Sequence, residues 1–170
     1  MSASNLSASA ESFYVPATLP LRWSSQPGQS ALEATRYLQV LMLLEHPEDD
    51  EPDPLQRRLD LQLLWLGRLL TPHTPAPADV QFGLDDLLWT STQPLLAGQQ
   101  GWLDVSLSHE FAYLISLPLE IIAAEPQGDT WQIRARYLWP QQSLREAFER
   151  VLFSRHRVHI RTLRGASLDS

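Results

Sequence analysis

A chain of 170 residues, 44% apolar and 19% charged, has enough material for one domain with a real core, or for a domain and an appendage. Its net charge of −7 argues against broad binding to duplex DNA, where basic surface supplies most of the affinity. Cysteine is absent and all 13 basic residues are arginine, which excludes disulfides, thiolate zinc sites, cysteine nucleophiles, Schiff-base lysines and P-loop lysines.

Residues 1–12 are rich in Ser and Ala and read as a loose tail. They carry no basic n-region and no apolar h-region, so the expected address is the cytoplasm. No apolar run reaches the length of a membrane span, and no membrane insertion is expected. The aromatic, β-like run Phe13–Trp23 contains Pro16 and Pro20, which favour an edge strand over a central one. Ser24-Ser-Gln-Pro-Gly28 reads as a turn.

Ser30-x-x-Glu33 is a capping box and opens a helix through Tyr37, Leu38, Leu41 and Met42. The segment from His46 to Pro54, with its prolines and acids, ends it. Asp53 and Pro54 then suit the N-cap and first position of a second helix running to about Leu70. Leu55, Leu59, Leu63, Leu66 and Leu70 form one apolar stripe on it. Leu61, Leu64, Trp65 and Leu69 widen the stripe beyond what one small sheet covers. It packs on the small barrel that the strands after it suggest, or joins subunits in the manner of a coiled coil, and the width supports a homo-oligomer. Thr71–Ala78 is a proline-rich connector and marks an internal boundary.

After it the period changes to two. Val80–Phe82 and Leu87–Trp89 are short strand candidates. Leu103, Val105 and Leu107 alternate with Asp104, Ser106 and Ser108. Tyr113, Ile115, Leu117, Leu119 and Ile121 repeat the alternation. Pro126–Asp129 is a turn. Trp131, Ile133, Ala135, Tyr137 and Trp139 then oppose Gln132, Arg134 and Arg136. Trp102, Trp131 and Trp139 are expected in the core. Ser143-x-x-Glu146 is a second capping box, opening a helix whose stripe is Leu144, Ala147, Phe148, Val151 and Leu152. The fold class is α+β, a small antiparallel barrel with a C-terminal helix and an added N-terminal two-helix segment. The expected divisions are a tail at 1–12, a leading strand with two helices at 13–78, the barrel and closing helix at 79–164, and a tail at 165–170.

Chemistry-bearing patterns are few. His156 and His159 have metal-like spacing, but no acid or cysteine lies nearby to complete a set, so no metal is expected. Ser108-His109-Glu110 has no nucleophile elbow around it, and no catalytic residue and no enzyme activity are expected. Arg155 and Arg157, in a basic run ending at Arg164, form either an anion site or a solvated helix end. Arg134 and Arg136 share one strand face, where they converge with that run or pair with nearby acids.

The turn before Trp102-Leu-Asp-Val-Ser-Leu107, the strand Arg134-Ala-Arg-Tyr-Leu-Trp139 and the helix Leu144–Phe153 resemble the PilZ domain over residues 79–157. The aromatic-Val-Pro strand and two helices ahead of the barrel extend the likeness to about 13–160. They resemble the atypical branch described as cyclic di-GMP receptors, in which an added helix assembles subunits. The resemblance implies a non-enzymatic cyclic di-GMP signalling protein acting through protein contacts, with cyclic di-GMP as ligand, no cofactor, and a signalling or motility protein as partner. The alternative is an adaptor or assembly protein of the same fold that has lost nucleotide binding.

The ligand motifs of the PilZ family are an R-x-x-x-R before the barrel and a D/N-x-S-x-x-G on its early strands. The second aligns here with Gln81-Phe-Gly83-Leu-Asp-Asp86, where Gln81, Gly83 and Asp86 replace the three signature residues. No R-x-x-x-R precedes Asp79, and Arg22 alone stands on the leading strand. These departures argue against the ordinary binding mode, because arginines normally hold the phosphates and Asp86 adds negative charge beside them. The ligand candidates are therefore Arg22, Gln81, Gly83, Asp86, Arg134, Arg136, Arg155 and Arg157.

Overall fold

A computed structural model describes residues 13–45, 54–71 and 73–166. The expected tail at 1–12, the segment from His46 to Asp53 and residues 167–170 lie outside them. In chain order the elements are β1 (Val15–Ser24), α1 (Ala31–Glu45), α2 (Pro54–Leu70), β2 (Pro77–Phe82), β3 (Asp86–Ser91), β4 (Gln100–Ser106), β5 (Leu114–Gln127), β6 (Thr130–Tyr137) and α3 (Gln142–Ala166). The six strands close into an antiparallel barrel in the order β1-β2-β3-β6-β5-β4.

β1 is a stave of the barrel, not the edge strand that Pro16 and Pro20 suggested. Its first half, Val15–Pro20, pairs with β2, and its second half, Leu21–Ser24, pairs with β4. Each half therefore has one partner strand. The prolines sit in the first half and need no donor toward β4. The boundary read at Ala78 thus falls inside β2, a strand that pairs with β1 in the same barrel.

The period-two patterns fill the barrel. Leu103, Val105, Ile115, Leu117, Leu119, Ile121, Ile133 and Ala135 are buried, joined by Phe82, Leu87 and Trp89 from the earlier strands. Adjacent side chains on a strand point to opposite faces, so Trp102, beside the buried Leu103, is turned outward and half-exposed. That corrects its expected place in the core; Trp131 and Trp139 pack at its edge. The fully enclosed tryptophan is Trp89, with Trp23 stacked on it at 6.1 Å. The β5–β6 hairpin turns at Gly128, whose positive φ of 61° favours a residue without Cβ.

α3 closes one end of the barrel through Leu144, Ala147, Phe148, Val151 and Leu152. Phe148 meets Phe82 edge-on at 5.8 Å and Tyr137 at 5.5 Å. The helix begins at Gln142, one residue before the expected cap, and Glu146 accepts from the Gln142 side chain at 3.2 Å. Ser143 therefore lies inside the first turn and the second capping box is not the one in use. α3 also runs on to Ala166, past the expected end of the domain.

The first capping box is formed as read. Ser30 N–H donates to the Glu33 carboxylate at 2.8 Å, and Glu33 N–H donates to Ser30 Oγ at 3.2 Å. The Ser30 N–H, and after it the Ser30 hydroxyl, donate to the Glu33 carboxylate and hold it below its ordinary range. α1 packs on α3 and buries Ala34, Leu38 and Leu41. α2 is different. Leu55, Leu59, Leu63, Trp65, Leu66, Leu69 and Leu70 are all exposed. Its C-terminal end is docked on the β4–β5 loop, where a Cβ on Gly67 would come within 2.9 Å of the Ala112 carbonyl oxygen. Thr71 Oγ1 donates to that same oxygen at 3.5 Å.

Candidate functional site

The β2–β3 corner brings together Gly83, Asp86, Arg134 and Tyr14. Gly83 N–H donates to the Asp86 carbonyl at 2.8 Å and pulls the corner tight. A Cβ on Gly83 would meet the Asp86 carbonyl oxygen at 2.7 Å, and Asp86 Oδ1 and a Tyr14 ring carbon at 2.9 Å each. The residue has to be glycine because three groups already occupy the space.

Asp86 is satisfied from inside the chain. Tyr14 Oη donates to its Oδ1 at 2.8 Å, and Arg134 Nε donates to its Oδ2 at 2.8 Å, with Arg134 Nη2 at 2.7 Å. The Tyr14 phenol is raised above its ordinary value, first by burial and then by the hydrogen bond to, and charge of, Asp86. Register explains the meeting. Asp86 opposes Arg136 and Leu88 opposes Arg134, so on the outer face Asp86 reaches Arg134 on a diagonal. Arg136 turns the other way and donates to Glu120 at 2.9 Å. Gln81 lies exposed on β2, opposite Leu88.

Arg22 stands apart from this corner. The β1–β4 seam lies across the closed ring from the β3–β6 seam. There Arg22 Nε donates to Asp104 at 3.1 Å. Asp104 also accepts from Ser116 Oγ, and Ser116 accepts from Gly28 N–H at 2.8 Å. Arg22, Asp104 and Ser116 are consecutive register partners across three strands. The turn after β1 buries the last two. Arg22 also borders a cleft of about 330 Å³ with Trp23, Trp89 and Pro77.

Arg155 is a clamp between elements. It donates to Glu45 at the end of α1 at 2.8 Å and to the Leu107 carbonyl after β4. Arg157, two residues on, is exposed. The eight ligand candidates therefore fall into three places: the β2–β3 corner with β6, the β1–β4 seam, and α3. Tyr14, Asp104 and Ser116 were not expected from the sequence. Their partners lie 72, 82 and 12 positions away, so only the register brings them together.

The five stripe leucines of α2 lie on one side of that helix. Leu63, Leu66 and Leu70 line a groove of about 250 Å³ against Tyr37, Val40 and Leu44 of α1 and the loop Phe111–Tyr113. Tyr37 floors the groove; its hydroxyl donates to the Phe111 carbonyl at 2.9 Å and its ring stacks on Tyr113 at 4.6 Å. Among the described residues no group of acids and histidines could hold a metal ion, and no helix is long and apolar enough to cross a membrane.

The six-stranded antiparallel barrel with its C-terminal helix has a PilZ-like fold. The likeness extends over nearly the whole chain. A solved structure of a pathogenic protein from Xanthomonas campestris, described as a new tetrameric PilZ domain self-assembled via an unusual helical bundle, superposes with a TM-score of 0.77. It is 26% identical, and the match covers 90% of each chain. No protein-family model matches the chain, and no curated protein matches it.

Proposed function

We propose that the chain is a non-enzymatic, cytoplasmic PilZ-type protein of cyclic di-GMP signalling that self-associates through α2 and acts through protein contacts. The observation that carries this reading is the exposed apolar surface of α2. A row of leucines and Trp65 is left exposed by a helix that touches its own domain along one side. Uncovered apolar surface of this extent is costly in water and marks an interface. The helical bundle described for the Xanthomonas neighbour supports a second copy as the cover. Light scattering tests it: a strictly monomeric species at high concentration removes the self-assembly reading.

The corner favours a second reading, an adaptor that has lost nucleotide binding. Arg22, Arg134 and Arg136 are each held by an acid of the chain, and the acid on Arg134 is Asp86, which the sequence aligns with the signature glycine. A phosphate ligand there has to displace those carboxylates. Calorimetry with cyclic di-GMP separates the two readings. Saturable heat supports the receptor; no heat at high ligand concentration, from folded protein, leaves the adaptor.

A further inference from the structure

α3 carries a charged feature that neither the barrel corner nor α2 uses. Arg150, Arg157, Arg161 and Arg164 are all exposed. At 3.6 residues per turn the four fall within an arc of about 60° and run for about 21 Å along the helix. Among the described residues none of them pairs with an acid, whereas Arg145 is held by Glu149 and Arg155 by Glu45. Glu146, one turn before Arg150, accepts from Gln142. Phe153, 45% exposed, borders the stripe. It lines a shallow groove of about 420 Å³ with Met42, Arg150, His156 and Arg157.

We propose that this stripe docks an extended acidic segment of a partner protein, with an apolar residue of that segment seated against Phe153 and Met42. The length favours a chain over a small anion, since about seven extended residues span about 21 Å. A lipid surface fits poorly: a membrane-seated helix needs one continuous free apolar face, and the exposed apolar residues of α3, Phe153, Val158 and Leu163, are spread around the helix instead of sharing a face. Nucleic acid fits poorly too, because the protein carries a net charge of −7. Four cations that meet no acid among the described residues, beside an aromatic ring, complement carboxylates with an apolar neighbour. The inference rests on the reading of the chain as a protein that works through protein contacts, and it names the chemistry of one such contact.

The test uses the full chain and a fluorescein-labelled octapeptide of alternating Glu and Leu, followed by anisotropy at low salt. Saturable binding is expected, weakened roughly tenfold by Arg157→Glu or Arg161→Glu and unchanged by Arg36→Glu, an exposed charge on α1. Arg157→Gln and Arg161→Gln are expected to give smaller losses in the same order. No saturable binding by the wild type overturns the proposal, as does an equal loss with Arg36→Glu. Tighter binding to phosphatidylglycerol vesicles or to single-stranded DNA than to the peptide overturns it as well. Light scattering keeps the two readings apart: α2 variants change the mass and leave the titration intact, and stripe variants do the reverse.

Discussion

Asp86 and Arg134 join β3 to β6 across the outside of the barrel, with Asp86 Oδ2 and Arg134 Nη2 2.7 Å apart. The carboxylate is nearly enclosed and the guanidinium half-exposed, so the pair is stronger than a surface ion pair and weaker than a buried one. Tyr14 adds a third member from the start of the chain. Asp86→Ala removes two hydrogen bonds and leaves the Tyr14 hydroxyl without its acceptor. The expected loss is about 1–2 kcal/mol, read from the urea midpoint. The same variant lowers the Tyr14 titration toward its ordinary value, as ultraviolet absorbance reports. An unchanged midpoint and an unchanged phenol titration would show that the corner is held by the backbone alone.

Gly83 carries the second prediction. Placing the serine of the PilZ motif at this position puts a Cβ 2.7 Å from the Asp86 carbonyl oxygen, which the residue's own N–H already holds. Gly83→Ser is expected to cost roughly 1–3 kcal/mol and to disturb the Tyr14–Asp86–Arg134 cluster. A serine variant as stable as the parent would mean that the corner opens easily, which would bring the receptor reading back into favour.

The strands were legible because their side chains alternate, and the barrel interior is what alternation reports. Leu103 through Ile121 fell where the period placed them. Trp102 and Pro16 misled for one reason: bulk and proline were read as local properties, whereas pleat and pairing side decide them. Trp102 is large but one residue out of phase with Leu103. Pro16 is tolerated because β1 changes partners midway. The charged sites were legible as residues and not as constellations. Arg134 and Arg136 are neighbours on one strand face, yet Asp86 holds one and Glu120 the other. Nothing in the spacing of Arg22 indicated Asp104, 82 positions away.

Tyr37 predicts an alkaline weakness. Burial is the main cause that raises its phenol far above 10.0, and the nearby Glu45 adds to it. The folded state therefore prefers the neutral phenol. The associated stability is complete below about pH 10, the unfolded value, and is lost progressively as pH rises from there toward the folded value. Tyr37→Phe removes the hydrogen bond to Phe111 at a cost of about 1 kcal/mol near neutral pH and flattens the alkaline decline. Thermal melts from neutral to alkaline pH check it; a decline of equal steepness in the variant would assign the weakness to other groups, Tyr137 first among them.

Leu66 separates the two roles of α2. It lines the groove against α1 and is still 53% exposed, so a lone domain gains little by burying it further. In an isolated protomer Leu66→Glu turns its carboxylate to water and costs no more than roughly 1 kcal/mol. In a bundle of α2 helices the same carboxylate is enclosed without a partner, which costs several kcal/mol per helix. The variant is therefore expected to keep its melting temperature at low concentration and to fall to a smaller mass by light scattering. Leu63→Glu, on the same groove wall, is expected to behave likewise. A variant that keeps the parent mass, or that unfolds as a monomer, would move the leucine stripe into the intramolecular core.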